Sequence, residues 1–400
     1  CSDAASRHVA EWEWLADDAA CRMDTGHAAA AVRAACAQNR SILLVGDSLV
    51  YQLFHAMLRR TFDGHEDDLD EKTCRHEARC VPLPCSGATG DSGAASLCMR
   101  QTFFFSATPL ALSNRSGMVQ ATCCGHEAEH SNTPHAADIA GWTAALGSAP
   151  AGSDATAGRE AVAPIGWVVI NPSVAHMAGT SCAATIGHPE MDGQALRHFE
   201  RTTAELAATL ARAAVAGTAL WWLSLPGGAA GCTDAPSKPL DPEELDTSCS
   251  PAAKLWGRGT RAEKYCWARI AQLDQIGSAT FARRGHSVLS VSRPALLRPD
   301  ARKGGAEAPV ERAKAARANG SAPLFAEVTG LPGARYLDCL HFCLQGVPAF
   351  YALAVFRFVV LQPGHAQTAH RDAKAVPLEG DEPASTDVGT CGLRSSSATT

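Results

Sequence analysis

Short apolar runs alternate with longer segments of helical periodicity through most of the chain. Four continuous apolar runs have the length of strands, and they fall at 41–46, 166–170, 218–225 and 286–291. Runs without polar alternation are typical of strands that are buried on both faces of a parallel sheet. Apolar residues that recur every three or four positions predict helices at 27–38, 48–60, 192–216 and 261–284 and after Gly346. This alternation predicts an α/β fold in which helices cover both faces of the sheet.

Polar, glycine-rich or proline-rich stretches interrupt this alternation, and we interpret them as insertions near 63–100, 226–258 and 298–322. A shorter run, QTFFF at 101–105, predicts one more strand directly after the first insertion. The chain is expected to form a single domain over residues 1–362. Residues 363–400 are polar and lack periodicity, which predicts a disordered tail.

The cysteine content indicates an oxidising environment. The chain contains 16 cysteines, and it lacks the repeated C-x-x-C pairs of zinc ribbons. With sequons at Asn39, Asn114 and Asn319, this predicts disulfide-rich insertions and a place in the secretory pathway (Golgi lumen) or outside the cell. No apolar run is long enough to span a bilayer, so membrane contact is expected only through an anchor outside this chain. The net charge of −6 argues against nucleic acid as a partner.

The tripeptide Gly46-Asp47-Ser48 stands between the first apolar run and the helix predicted at 48–60. Ser48 is a candidate nucleophile, because a serine between a strand and a helix lies at the sheet edge beside the helix N-terminus. The N–H groups of that terminus can stabilise an oxyanion. Asp47 or Ser48 could instead serve only to cap the helix. The tripeptide by itself favours the cap.

The segment YLDCLHFCLQG at 336–346 contains a candidate base for Ser48. Asp338 and His341 are three residues apart, a spacing at which a carboxylate can orient an imidazole and leave its second nitrogen to act as base. Two other interpretations remain open, a disulfide-rich knot with an incidental histidine and a zinc site built from Cys339, His341 and Cys343. No fourth zinc ligand is evident, so no metal is expected.

Asn171 follows the apolar run at 166–170. Its side-chain amide could donate to an oxyanion, or it could be an ordinary turn residue before Pro172. The carboxyl ends of parallel strands meet at one edge of a sheet, and ligands of such folds bind there. We therefore expect Asp47-Ser48 and Asn171 at this edge, together with the segment around Asp338.

The order of these motifs resembles that of the SGNH/GDSL hydrolase superfamily, which has GDS after its first strand, an Asn after a middle strand and D-x-x-H near its C-terminus. The resemblance implies a three-layer α/β/α sandwich with a flavodoxin-like parallel sheet. It implies a catalytic triad of Ser48, Asp338 and His341. Oxyanion and substrate contacts are then expected from Gly46, Asp47, Asn171 and Tyr51.

Residues 338–346, DCLHFCLQG, are similar to the D-C-x-H-W-C-L-P-G motif of the PC-esterase family, which includes the plant trichome-birefringence-like proteins. Residues 13–15 and 21–23 resemble the tryptophan-rich lead-in of that family, and the QLF at 52–54 is nearer to its sialate O-acetyltransferase-like branch. Known members are largely polysaccharide O-acetyltransferases of the secretory pathway. The resemblance implies an acetyl donor and a glycan acceptor as partners, an acyl-serine intermediate and no cofactor.

Two positions depart from the family pattern. Tyr51 stands where the family usually has arginine, and Ala349 stands where aspartate or asparagine is expected. A carbohydrate acetyl esterase with the same triad therefore remains an alternative, as does a catalytically degenerate member that only binds glycan. A further oxyanion donor is unassigned, with Gly125 as a candidate. Trp221 and Trp222 could stack on sugar rings, although a strand position favours the core for at least one of them.

Overall fold

The computed structural model of the chain describes residues 12–16, 23–62, 78–85, 95–101, 163–171, 192–215, 217–225, 267–292, 295, 346–361 and 393–397. In chain order they form β1 (Trp12–Ala16), α1 (Gly26–Gln38), β2 (Ser41–Gly46), α2 (Ser48–Thr61), β3 (Ala78–Pro82), β4 (Ser96–Gln101), β5 (Ile165–Asn171), α3 (Asp192–Ala213), β6 (Ala219–Ser224), α4 (Trp267–Arg283), β7 (Ser287–Ser290), α5 (Val347–Ala354) and β8 (Leu393–Ser397). A π-helical turn, Val355–Val360, continues α5.

Six strands form one sheet in the order β3-β4-β2-β5-β6-β7. β4, β2, β5, β6 and β7 run parallel, whereas β3 pairs antiparallel with β4 at one edge. Parallel neighbours need a crossover, and α3 and α4 lie in the crossovers from β5 to β6 and from β6 to β7. From β2 the chain proceeds to β4 on one side and then to β5 on the other. The expected α/β fold with a mostly parallel sheet is therefore confirmed.

Helices pack on both faces of this sheet. α1, α2, α5 and the π-helical turn share one apolar core with Ile42 and Leu44 of β2. α3 and α4 share a second core with Leu43 and Val45 of the same strand. Successive side chains of a strand point to opposite faces, so a strand between two helix layers must be apolar at nearly every position. This explains why all six residues of β2 are buried and why its sequence shows no alternation.

The ends of two helices follow from local sequence. α1 ends at Asn39, which adopts the left-handed conformation (φ 48°, ψ 51°) and donates its N–H to the carbonyl of Cys36. Asparagine is one of the few residues besides glycine that enters this region readily. α5 begins after Gly346 with Pro348 in its first turn, where the missing N–H would have had no partner within the helix.

Most predicted elements are confirmed to within a few residues. The strand predicted at 101–105 overlaps β4, which spans Ser96–Gln101, and residues 102–105 lie outside the described part of the chain. The register with β2 sets these bounds, because Ile42 lies opposite Leu97 and Gly46 lies opposite Gln101. The segment that the sequence indicates as an insertion near 63–100 therefore supplies two strands to the main sheet. The insertions near 226–258 and 298–322 lie outside the described residues.

Two disulfides lie at the β3 edge of the sheet. Cys80 and Cys98 lie directly opposite each other on β3 and β4 and are bonded, and Cys36 of α1 is bonded to Cys85 after β3. These two bonds confirm the prediction of a disulfide framework for these four cysteines. Disulfides persist mainly in oxidising compartments. In the described part of the chain, no helix has the length and apolar character needed to cross a membrane.

β1 and β8 form a second, two-stranded antiparallel sheet in which Trp14 lies opposite Ser395. Leu393–Ser397 of the segment predicted as a disordered tail thus pairs with β1, and the tail over residues 363–400 stays a prediction. The sequence LRSSS has no hydrophobic periodicity, because backbone hydrogen bonds to β1 define this strand. Such pairing depends on a partner hundreds of residues away, and local sequence does not reveal it.

Candidate functional site

Three strand ends meet at one level on the carboxyl edge of the sheet. Gly46 ends β2, and its partners in register are Gln101 of β4 on one side and Asn171 of β5 on the other. A β-carbon at residue 46 would lie less than 3.0 Å from the carbonyl oxygen of Asn171 and from Cγ2 of Val50. Only glycine fits between β5 and the first turn of α2. The strand order reverses direction at this place, which is where open α/β sheets bind ligands.

Asp47 caps the helix that follows. It is 1% exposed and extended (φ −88°), and its Oδ1 accepts a hydrogen bond of 2.9 Å from the N–H of Leu49. Its carbonyl oxygen accepts from the N–H of Tyr51 at 2.9 Å. The capping interpretation of the tripeptide is therefore confirmed for Asp47. Ser48 is not the cap.

Ser48 is the first residue of α2 and is half-buried. The first N–H groups of a helix have no partner inside the helix, and the partial positive charge of the N-terminus favours an anion. A hydroxyl at this position therefore stands beside groups that can stabilise negative charge on a reacting carbonyl oxygen. Sequence reasoning predicted this placement, and β2, Asp47 and α2 produce it.

Asn171 lies at the same edge, 2% exposed. Its Nδ2 donates a hydrogen bond of 2.8 Å to the carbonyl oxygen of Leu223, on the neighbouring strand β6. An amide nitrogen carries two hydrogens, so this bond fixes the plane of the amide and uses one of them. Asn171 is thus held rigidly beside Gly46. Donation to an oxyanion stays a prediction.

Tyr51 and His55 occupy the next turns of α2, on the side of the helix that carries Ser48. The ring centroids of Tyr51 and His55 are 4.5 Å apart, with an interplanar angle of 52°. The ring of Phe54 stands edge-on to His55, with centroids 5.5 Å apart. His55 is 2% exposed, whereas Tyr51 is half-buried. Sequence reasoning missed His55, although its spacing of seven residues from Ser48 and four from Tyr51 signals the shared side.

The second half of the expected triad lies outside the described residues. This concerns Asp338 and His341, the alternative ligands Cys339 and Cys343, and Gly125. The chain becomes described again at Gly346, which precedes α5. Phe350 and Tyr351 of α5 are buried in the core that α5 shares with α2. Ala349, at the other departure from the family pattern, is also buried.

A second polar cluster lies on the opposite face of the sheet. Asp274 of α4 accepts a hydrogen bond of 2.8 Å from Nε1 of Trp222, and its other carboxylate oxygen accepts from the hydroxyl of Ser224. Burial raises the pKa of Asp274 to about 6, against the opposing effect of these two hydrogen bonds. Sequence reasoning missed this cluster, since a charged residue inside a helix usually faces solvent.

The tryptophans of β6 belong to the core. Trp221 is 2% exposed and Trp222 is fully buried, so neither is available to stack on a sugar ring. Trp222 packs against Phe281 and against the backbone of α4 at Gly277, where a β-carbon would lie less than 3.0 Å from Cζ2 of the indole. Because the ring of Trp222 takes this space, only glycine fits at that turn of α4.

Among the described residues, His286 is a buried titratable group that lies away from Ser48. His286 precedes β7 and so lies at the amino edge of the parallel sheet, opposite to the edge that carries Ser48. Burial, with a smaller contribution from Arg284, lowers the pKa of His286 to about 4. In the part of the chain that the structure describes, no group of three histidine, cysteine, aspartate or glutamate residues could hold a metal ion.

The chain matches no protein-family model, and a search of the curated proteins finds no similar protein. The resemblance to the SGNH and PC-esterase proteins therefore depends on short motifs. Of the motifs that supply candidate site residues, the structure describes Gly46-Asp47-Ser48 and Asn171, and it brings them to one edge of the sheet.

Proposed function

We propose that this chain is a serine-dependent acyltransferase of the SGNH type, which transfers an acetyl group to a hydroxyl of a glycan. The observation that carries the proposal is the register of Gly46 with Asn171, directly before a helix that begins at Ser48. A hydroxyl at a helix N-terminus and a fixed amide at the end of the neighbouring strand are groups that acyl transfer can use around a carbonyl carbon.

The strand order supports the finer fold class. Numbered among themselves, the parallel strands β2, β4, β5, β6 and β7 stand in the spatial order 2-1-3-4-5. This is the order of flavodoxin-like sheets, whose ligands bind between the first and third strands. In this chain those strands are β2 and β5, which end at Gly46 and Asn171. The antiparallel edge strand β3 is an addition to that arrangement.

The proposed base is His341, oriented by Asp338. His341 precedes Gly346 by five positions, a span of at most about 18 Å even for a fully extended chain. α5 begins directly after Gly346 and packs against α2, the helix that begins at Ser48. The packing of α5 thus supports a route by which His341 can reach Ser48.

The reaction follows from these roles. His341 takes the proton of the Ser48 hydroxyl as Oγ attacks the acetyl carbonyl of an ester or thioester donor. The tetrahedral oxyanion is stabilised by the N–H of Ser48 and the amide of Asn171. His341 then protonates the leaving alcohol or thiol, which leaves acetyl-Ser48. A sugar hydroxyl gives its proton to His341 and attacks the acetyl group, and His341 returns that proton to Ser48 Oγ as the bond to the acetyl carbon breaks.

Water in place of the sugar would make the same site an acetyl esterase. Which acceptor reacts depends on how well the site excludes water and orients the sugar. The two disulfides support a secretory or extracellular setting, where glycan acceptors are abundant. No cofactor is needed beyond the acetyl donor, and any membrane attachment would come from an anchor outside this chain.

Incubation with 4-nitrophenyl acetate followed by peptide mass spectrometry tests the proposal. We expect acetyl-Ser48 in the wild type, no label in Ser48→Ala, and labelling slowed at least 100-fold in His341→Ala, because a general base contributes about 10²–10⁴-fold. Ser290→Ala is the matched control, since Ser290 also ends a parallel strand at this edge. It should be labelled like the wild type.

The fate of the acetyl group separates the alternatives. Faster discharge with oligosaccharide than in buffer supports the transferase, and equal rates support the esterase. If Ser48 is never acetylated while glycan binding persists, the proposal is wrong and the chain is a glycan-binding protein.

A further inference from the structure

Ser48, Tyr51 and His55 lie along one side of α2, because they are spaced by three and then four residues. Side chains on a helix lean toward its N-terminus. The ring of Tyr51 therefore leans toward the turn that carries Ser48, and His55 leans toward the turn that carries Tyr51. The distance of 4.5 Å between the ring centroids of Tyr51 and His55 agrees with this direction.

The two rings differ in their surroundings. His55 is 2% exposed and stands edge-to-face with Phe54, at an interplanar angle of 87°. Tyr51 is half-buried and packs against the core on this face of the sheet. Tyr51 is thus held by buried neighbours and remains partly exposed one turn from Ser48. A side chain fixed in this way loses little rotamer freedom when it binds a ligand.

The chemistry of the Tyr51 side chain and of the neighbouring part of α2 indicates which kind of ligand could bind there. Tyr51 offers an apolar ring face and a hydroxyl, a combination suited to the C–H face and hydroxyls of a pyranose. Residues 48–58 contain no lysine or arginine, and the two arginines of α2, Arg59 and Arg60, lie in its last turn, at the end away from Ser48. The part of α2 around Tyr51 thus has no lysine or arginine to pair with the carboxylate of an acidic sugar.

We propose that Tyr51 binds the acceptor at the Ser48 site through the face of a neutral sugar ring, and that His55 is a positioning residue that holds the Tyr51 ring. This inference rests on the proposed function for the role of Ser48. Beyond that role, it assigns selection of the acceptor to Tyr51 and orientation of the Tyr51 ring to the buried His55.

Isothermal titration of the full chain carrying Ser48→Ala, which prevents turnover, tests the acceptor site. The ligands are cellohexaose and mannohexaose as neutral probes and hexagalacturonate as the anionic one. We expect the neutral hexasaccharides to bind more tightly. Adding Tyr51→Ala should weaken their binding about tenfold, because a stacked aromatic contact is lost. Tyr51→Phe should keep most of the affinity, since the ring face remains.

The role of His55 is tested with two substitutions. His55→Phe keeps a ring against Tyr51 and should keep most of the affinity, whereas His55→Leu removes the planar partner and should weaken binding about fivefold. In the otherwise wild-type enzyme, the defect of His55→Leu should appear as a raised KM for the acceptor with little change in kcat, as expected of a residue that positions a binding group. Met57→Leu, at a buried position of the same helix, is the matched control and should change neither quantity.

The outcomes separate this inference from the proposed function. If neutral sugars bind through Tyr51 but Ser48 is never acetylated, the acyltransferase proposal fails and the sugar site stands. The inference is overturned if neutral sugars do not bind, if Tyr51→Ala binds them as tightly as its parent, or if hexagalacturonate binds best. Equal effects of His55→Phe and His55→Leu would overturn the positioning role.

Discussion

Gly46 and Asn171 end neighbouring parallel strands at the same level, and the carbonyl oxygen of Asn171 occupies the space that a side chain at position 46 would need. Val50, in the first turn of α2, closes the same space from the other side. The end of β2 is thus packed against the backbone of β5 and against the Val50 side chain of α2. The candidate nucleophile is positioned by this packing.

Gly46→Ala should therefore destabilise the protein by about 1–3 kcal/mol, because overpacking at a backbone contact forces the strands or α2 to shift. The free energy of unfolding is measured by urea denaturation of the wild type and the variant. Gly26→Ala is the control, since a β-carbon there meets only the Asp24 side chain. An equal, small effect at both positions would contradict the close approach.

The cap of α2 gives a second prediction. Asp47→Ala removes the acceptor for the N–H of Leu49 and should cost about 1 kcal/mol, whereas Asp47→Ser keeps an acceptor and should recover most of that loss. Thr25 begins α1 without a side-chain cap, so Thr25→Ala should cost much less. Thermal and urea unfolding of the three variants provide the comparison. A loss at Thr25 as large as at Asp47 would speak against the capping role.

The raised pKa of Asp274 leads us to expect that the protein loses stability as the pH rises. Its pKa is about 6 in the folded protein and 3.8 in the unfolded chain, so the folded state binds the proton more tightly. The stabilisation from this group is complete below pH 3.8 and is lost as the pH rises to about 6. The difference of about 2 pKa units corresponds to at most about 3 kcal/mol.

Asp274→Asn isolates this effect, because asparagine can mimic the protonated acid toward Trp222 and Ser224. The variant should become more stable relative to the wild type as the pH is raised from 4.5 to 7.5, measured by urea unfolding at each pH. Ser224→Ala removes a hydrogen bond that lowers the pKa of Asp274, so its transition should move to higher pH. If the difference in the free energy of unfolding between the wild type and Asp274→Asn does not change with pH, the raised pKa of Asp274 is ruled out.

Gly277 and Trp222 give the fourth prediction. Alanine normally stabilises a helix by up to about 1 kcal/mol relative to glycine, but at position 277 its β-carbon would overlap the indole of Trp222. Gly277→Ala should therefore destabilise the protein by about 1–3 kcal/mol. In the background of Trp222→Leu, which removes the ring, the same substitution should cost little. A double-mutant cycle measures this coupling, and additive effects would contradict the contact.

The sequence alone predicts the features that depend on neighbouring residues in the chain, such as buried strands and helix caps. β2 and β5 are recognisable because strands between two helix layers are apolar at every position, and Asp47 is recognisable because a cap acts on the next turn. The close approach of Gly46 to Asn171 and the hydrogen bond from Asn171 to Leu223 depend on register between strands, which no local pattern encodes. His55 and Asp274 were missed because a polar residue within a helix is usually a solvent-facing one. β8 was missed because its partner is at the other end of the chain.

The disulfide between Cys36 and Cys85 has a consequence for the unfolded chain. It closes a covalent ring over a separation of 49 residues, and Gly46, Ser48 and Tyr51 all lie inside that ring. Closing a ring of this size lowers the conformational entropy of the unfolded chain. The corresponding destabilisation of the unfolded state is about 4 kcal/mol in free energy. When the protein unfolds with its disulfides intact, the residues of β2 and α2 remain inside this closed loop. The segment that carries the candidate nucleophile thus starts each refolding event from a confined ensemble.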